Sequence, residues 1–188
     1  MLQAVLTKLL SPALDCLTLD TYKEKIISTW LEAALQGKWD EKGIEHCGLS
    51  VNLRPDCPEN LLSHTFHVTQ ACAALYDARE GLFETIGPSS REDLTAGAIL
   101  HDVGKLLELD YADGAVCYSP SAKYFRHPIS GAYYAKKNGF PDHIVHMVLT
   151  HSNTFSPEGA RAFQTPESLI LRHVDEMCYQ YTALHWRK

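Results

Sequence analysis

Paired cysteines, long apolar runs and an excess of positive charge are all missing from this chain. Its six cysteines, Cys16, Cys47, Cys57, Cys72, Cys117 and Cys178, are scattered with no CxxC pair. No charged and then apolar leader precedes a cleavage signal, so they read as the reduced thiols of a cytoplasmic protein rather than a secreted one. The opening MLQAVLTKLL is too short and too soon interrupted to span a bilayer, and no membrane role is expected. Lys and Arg number 17 against 23 Asp and Glu, a net charge of −6. That balance weighs against a broad nucleic-acid track, which needs Lys and Arg clustered along one face. There is no internal repeat and no low-complexity segment.

What remains is 188 residues, 45% hydrophobic and 21% charged, a composition that fits one globular domain with a sizeable core. Helical periodicity covers about 2 to 15 and 20 to 37 and leads into GKWDEKGIEHCGLSVNLRPDCPEN, whose Gly, Pro and Asn content marks a connection or lid able to shape a pocket. Residues 1–57 are expected to be an N-terminal extension of the same domain as a core over 58–188. In LELDYADGAVCYSP the turn signal Asp113-Gly114 between Tyr111, Val116 and Tyr118 predicts a small hairpin near 109–119 in an otherwise all-α chain.

The most informative feature is His101-Asp102 inside LTAGAILHDVGKLLE. The run from Ala96 to Leu107 is apolar nearly all round, so as a helix it should be buried. An imidazole and a carboxylate there are costly to desolvate unless a partner such as a divalent cation offsets the burial. Neighbouring helix positions do not face each other, so a shared ion needs ligands from other helices. His64 sits at the centre of the stripe Leu61, Val68, Ala71, Leu75, and Asp175 shares a face with Leu171, Cys178 and Tyr179 in a helix opened by Thr165-Pro166. His64, His101, Asp102 and Asp175 thus offer two imidazoles and two carboxylates, a set that suits Mn, Fe, Co, Ni or Zn better than Ca.

A histidine, then HDxGK, then a distant aspartate resembles the HD superfamily of metal-dependent phosphohydrolases. KYFRHPISGAYYA, VLTHSNTF and PESLILRHVDEM are similar to segments of the HD domain of 3′ to 5′ exoribonucleases and their stand-alone relatives. The resemblance covers roughly residues 58 to 183. It implies an all-α HD-domain helical bundle with His64, His101, Asp102 and Asp175 as ligands, and His127 and His151 completing a second metal position in two-metal members. Many such members carry a second histidine after the one at 151, where this chain has Ser152. One or two divalent ions are therefore expected, iron or manganese first, with Ni, Co, Zn or Mg in the same class.

Such ions lower the pKa of a water they carry and polarise a phosphoryl oxygen, and Asp102 is the natural bridge between two of them. Lys105, four residues after His101 and three after Asp102, shares their face and is expected beside phosphate charge, with Asp102 and Lys105 the catalytic pair. Gly104 leaves room for close approach. Arg126 is the first further candidate for the substrate phosphate, ahead of Lys123, Arg161 and Arg172. His67, His146 and His173 are expected at the surface or rim, and Tyr118, Tyr124 and Phe125 as packing aromatics rather than a base-stacking platform. The resulting expectation is a cytoplasmic phosphohydrolase of a nucleotide or another small phosphorylated molecule. The alternatives are a nuclease or phosphodiesterase acting on nucleic-acid ends, and a non-catalytic nucleotide-binding regulatory module.

Overall fold

The computed structural model describes residues 1–78, 90–112 and 114–188. The described chain is mostly helical, with α1 over Leu2–Leu14, α2 over Asp20–Gln36, α3 over Glu41–Glu45 and α4 over Leu61–Asp77. Then come α5 (Arg91–Leu100), α6 (Lys105–Glu108), the strands β1 (Leu109–Ala112) and β2 (Ala115–Tyr118), α7 (His127–Lys137), α8 (Asp142–Thr150) and α9 (Pro166–Trp186). The two apolar patterns at the start become α1 and α2, and the connection after them holds the short α3.

Local chemistry sets the helix starts. Asn60 accepts from the Ser63 amide at 2.9 Å while the Ser63 hydroxyl accepts from the Asn60 amide, a reciprocal cap that begins α4. Thr165 and Ser168 make the same pair at α9, with Pro166 in the first turn as the sequence predicts. Antiparallel β1 and β2 pair Leu109 with Tyr118 and Ala112 with Ala115. Gly114 has φ +77°, the backbone a tight hairpin turn requires. Asp113, the other half of the expected turn, lies outside the described residues.

One apolar cluster joins Leu6 and Leu10 of α1, Ile26 and Trp30 of α2, Val68 of α4, Ile99 of α5, Met147 of α8 and Leu171 of α9. Helix α5 lies at its centre, packed against α2, α4, α8 and α9. Residues from the first part of the chain reach this centre directly. Fully buried Trp30 donates its indole N–H to the Ile99 carbonyl at 3.1 Å, and Trp39 donates to the Leu106 carbonyl at 2.8 Å, bracketing His101 and Asp102 on either side.

Two details differ from the periodicity reading. The HD segment is not one continuous helix: α5 stops at Leu100, and three-residue hydrogen bonds from Val103 to Leu100 and from Lys105 to Asp102 carry the chain into α6. At this break α7 crosses so close that a Cβ on Gly104 would stand 2.1 Å from the His127 carbonyl oxygen. The close approach that Gly104 permits is thus that of another helix backbone. In α4 the buried arc runs through Leu61, Thr65, Val68, Thr69 and Cys72, whereas Leu75 is exposed, because α1, α5 and α9 enclose that helix from several directions.

Candidate metal centre

The break after Leu100 presents His101 and Asp102 at the end of the most buried helix. His64 reaches them from α4, Asp175 from α9, His127 from the start of α7 and His151 from the end of α8. Asp102 is 1% exposed and divides its two oxygens between two sets of side chains. Its Oδ2 lies 3.3 Å from His101 Nε2 and 3.8 Å from His64 Nε2, and Asp175 Oδ1 lies 3.0 and 3.6 Å from the His64 and His101 Nε2 atoms. Its Oδ1 lies 3.5 Å from both His127 Nε2 and His151 Nε2. The sequence-selected residues therefore form two groups that share Asp102: His64, His101, Asp102 and Asp175, and Asp102, His127 and His151.

Hydrogen bonds on the far sides of the rings decide what faces inward. His101 Nδ1 lies 2.6 Å from the Ala98 carbonyl and His151 Nδ1 lies 2.7 Å from the Val148 carbonyl. A carbonyl only accepts, so each Nδ1 carries a proton, and each Nε2 offers a lone pair when the ring is neutral. Both Nε2 atoms, together with Asp102 Oδ1, are buried with no hydrogen-bond partner. With His101 neutral these atoms are converging acceptors, the arrangement a divalent cation satisfies, and nitrogen mixed with carboxylate oxygen suits a transition metal.

Charge within the cluster is strongly perturbed. Burial alone pushes the Asp102 carboxyl up, but the charges of Lys105 and His101 hold it well below the usual range. Burial opposes protonation of His101, yet Asp102 and then Asp175 raise it to about 10. An ion arriving at the first group would therefore displace a proton from His101. Asp175 is likewise held low against burial by the neighbouring His101 and by its hydrogen bond with His64, and His64 is held up against its own burial by Asp175 and Glu59. His127 goes the other way, lowered by burial in spite of its carboxylate neighbour Glu108.

Lys105 is where its spacing puts it, with Nζ 2.6 Å from Asp102 Oδ2 and a side chain 12% exposed. It lines a cavity of about 280 Å³ that also reaches Asp102, His127 and Asp175, with Tyr118 and Phe155 as aromatic wall and Asn52 and Arg187 on the opposite chain segments. Leu49 to Asn52 belong to the expected lid segment and do help shape this cavity. Arg126 is placed differently. Its Nη2 bonds Glu108 at 2.7 Å, its guanidinium lies 3.6 Å from the centre of the Phe155 ring, and with Lys123 it lines a separate cavity. Arg161 and Arg172 also lie outside the lining of the site cavity.

Other expectations fare unevenly. His67 and His173 are exposed, but His146 is half-buried against the Ala160 carbonyl because the turn over Gly159–Ala162 folds back on α8. Tyr118, Tyr124 and Phe125 are exposed rather than packed in the core. Spacing missed half-buried Glu59 beside His64, buried Glu108 beside His127, and Arg187. A signal for Glu108 was present: it is flanked by Leu106, Leu107 and Leu109, as a buried carboxylate would be.

A buried cluster of this chemistry in a helical fold fits a divalent metal ion. A family model described as HD domain matches residues 61–179, so the chain belongs to the HD-domain family. That family is generally one of metal-dependent hydrolases that bind divalent ions, and the histidine and aspartate group fits such an ion. No curated protein and no solved structure matches the chain. Among the described residues no helix is long and apolar enough to cross a membrane.

Proposed function

We propose that the protein is a metal-dependent phosphohydrolase of a nucleotide or another small phosphorylated molecule, acting in the cytoplasm. His64, His101, Asp102 and Asp175 hold one divalent ion, and Asp102, His127 and His151 hold a second, with iron or manganese preferred. Residues 1–57 belong to the same domain as the core. The observation that carries this reading is the division of Asp102, whose two oxygens face two separate sets of imidazoles beside a cavity of about 280 Å³. When bound, the ions supply a water of lowered pKa and neutralise phosphoryl charge.

The chain's own groups do the positioning. Lys105 Nζ opens onto the cavity and places an ammonium beside the phosphoryl oxygens, where it stabilises charge that grows during transfer. Tyr118 and Phe155 give the organic part of the substrate an apolar wall. The lining carries Asp102, Glu108, Asp175 and Glu176 against only Lys105 and Arg187 as Lys or Arg cations. That poverty of cations favours a small phosphate ester over a nucleic-acid strand, which needs a basic track. The nearer likeness to the HD domain of exoribonucleases rests on the shared motifs alone, so nuclease action ranks second.

The test is a panel of nucleoside phosphates, sugar phosphates and short oligonucleotides, assayed with Mn or Fe on the wild type and on Asp102→Asn. Turnover of a small ester that Asp102→Asn abolishes is expected. Turnover confined to oligonucleotide ends would give the nuclease reading the field, and ligand binding without turnover would make the protein a regulatory module.

A further inference from the structure

His127 is the only one of the six clustered residues whose outward ring nitrogen is held by a buried acidic side chain at hydrogen-bond distance. Glu108, 3% exposed, accepts from His127 Nδ1 at 2.8 Å and from the His127 backbone amide with the same oxygen, Oε2. Its other oxygen, Oε1, accepts from Arg126 Nη2 at 2.7 Å. His101 and His151 use backbone carbonyls for this purpose, and the carboxylate nearest His64 Nδ1, Glu59, stands off at 3.8 Å. One carboxylate therefore fixes both the backbone start of α7 and the ring of its first residue. Arg126, stacked on Phe155, holds that carboxylate from the other side.

From this geometry we infer that Glu108 is the positioning residue for the second ion, and that Arg126 acts through Glu108 instead of touching substrate phosphate. The inference rests on the two-ion reading above. A carboxylate accepting from Nδ1 locks the imidazole in the tautomer whose Nε2 lone pair points at Asp102 Oδ1, 3.5 Å away, and makes that nitrogen a better donor to a cation. With Ser152 in place of a further imidazole, His127 and His151 are the only histidines in that group, so the orientation of each matters more. The Ser152 hydroxyl is already engaged, accepting from the Phe155 amide at 3.1 Å.

Calorimetric titration of chelator-treated protein with Mn, paired with metal counting, tests this. Wild type should bind two ions in separable steps. Glu108→Gln should weaken the second step by roughly 10-fold to 100-fold, the usual effect of losing a ligand's supporting partner, and leave the first within about threefold. Arg126→Met should weaken the second step by less, leave the first unchanged and leave KM for the best substrate within about threefold. Equal weakening of both steps in Glu108→Gln, or of neither, overturns the inference. A single step in wild type overturns the two-ion reading and the inference with it, and is recognised before any variant is made. Should Glu108→Gln lose its cooperative melt, Arg126→Met decides: an unaltered second step with KM raised tenfold would make Arg126 a phosphate ligand after all.

Discussion

Gly104 and His127 touch backbone to backbone: a Cβ on Gly104 would stand 2.1 Å from the His127 carbonyl oxygen and 2.6 Å from the Gly131 amide nitrogen. This contact ties the turn that carries Asp102 to the helix that carries His127. Gly104→Ala must push α7 away, and overpacking of this kind costs about 3 kcal/mol or more. Urea denaturation is expected to show that loss, together with weaker binding of the second ion than the first. A variant as stable as wild type would mean that α7 moves aside freely.

Lys105 should be separable from the metal shell. Because its ammonium lies 2.6 Å from Asp102 Oδ2 without being a ligand, Lys105→Ala should keep its ions while kcat/KM falls on the order of 10² to 10³. Its fold should survive, since the side chain reaches the cavity edge. Wild-type turnover in this variant would leave Lys105 as a counter-charge to Asp102 and nothing more.

The pH dependence of the ion-free protein follows from Glu108, Glu59 and His101. Burial pushes both carboxyls up, but hydrogen bonds from His127 and Arg126 to Glu108, and the nearby His64 together with hydrogen bonds from Thr182 and His67 to Glu59, bring each down to about 2 from an ordinary 4.5. A folded pKa below the unfolded one gives stability that is present above about 4.5 and lost as pH falls toward 2. His101 has the opposite sign: its contribution is complete below 6.5 and disappears as pH rises through about 10. Denaturation of chelated protein across this range should show both flanks, with Glu108→Gln flattening the acid one. Metal uptake at neutral pH should release protons, measurable as a buffer-dependent heat.

Much of the centre was legible because its signals are local. A Thr165-Pro166 helix start, a helical wheel through His64 and a Gly-bearing hairpin turn each depend on residues a few positions apart. The break at His101 was not legible from the periodicity of LTAGAILHDVGKLLE, and the packing of α7 against it joins Gly104 to His127, which are distant in sequence. The placement of Arg126 depends on Glu108, 18 positions away, and on Phe155, so spacing along one helix could not reveal it. Periodicity also could not show that Trp30 and Trp39, in the N-terminal extension, bond the carbonyls on either side of His101 and Asp102.

The proposed ligands are carried by α4, α5, α7, α8 and α9 or their ends, so ion removal should also lower the melting temperature by the linkage free energy of binding. A chelated sample verified to be metal-free should melt below the Mn-loaded one. Equal melting temperatures would mean that the cluster is held by its own ion pairs.

The most direct measurement is metal counting on purified protein saturated with Mn or Fe, wild type beside Asp102→Ala and His127→Ala. With Asp102 as the shared ligand, wild type should hold two ions, His127→Ala about one and Asp102→Ala none, each with a cooperative melt. Full metal content in a folded Asp102→Ala would contradict the account.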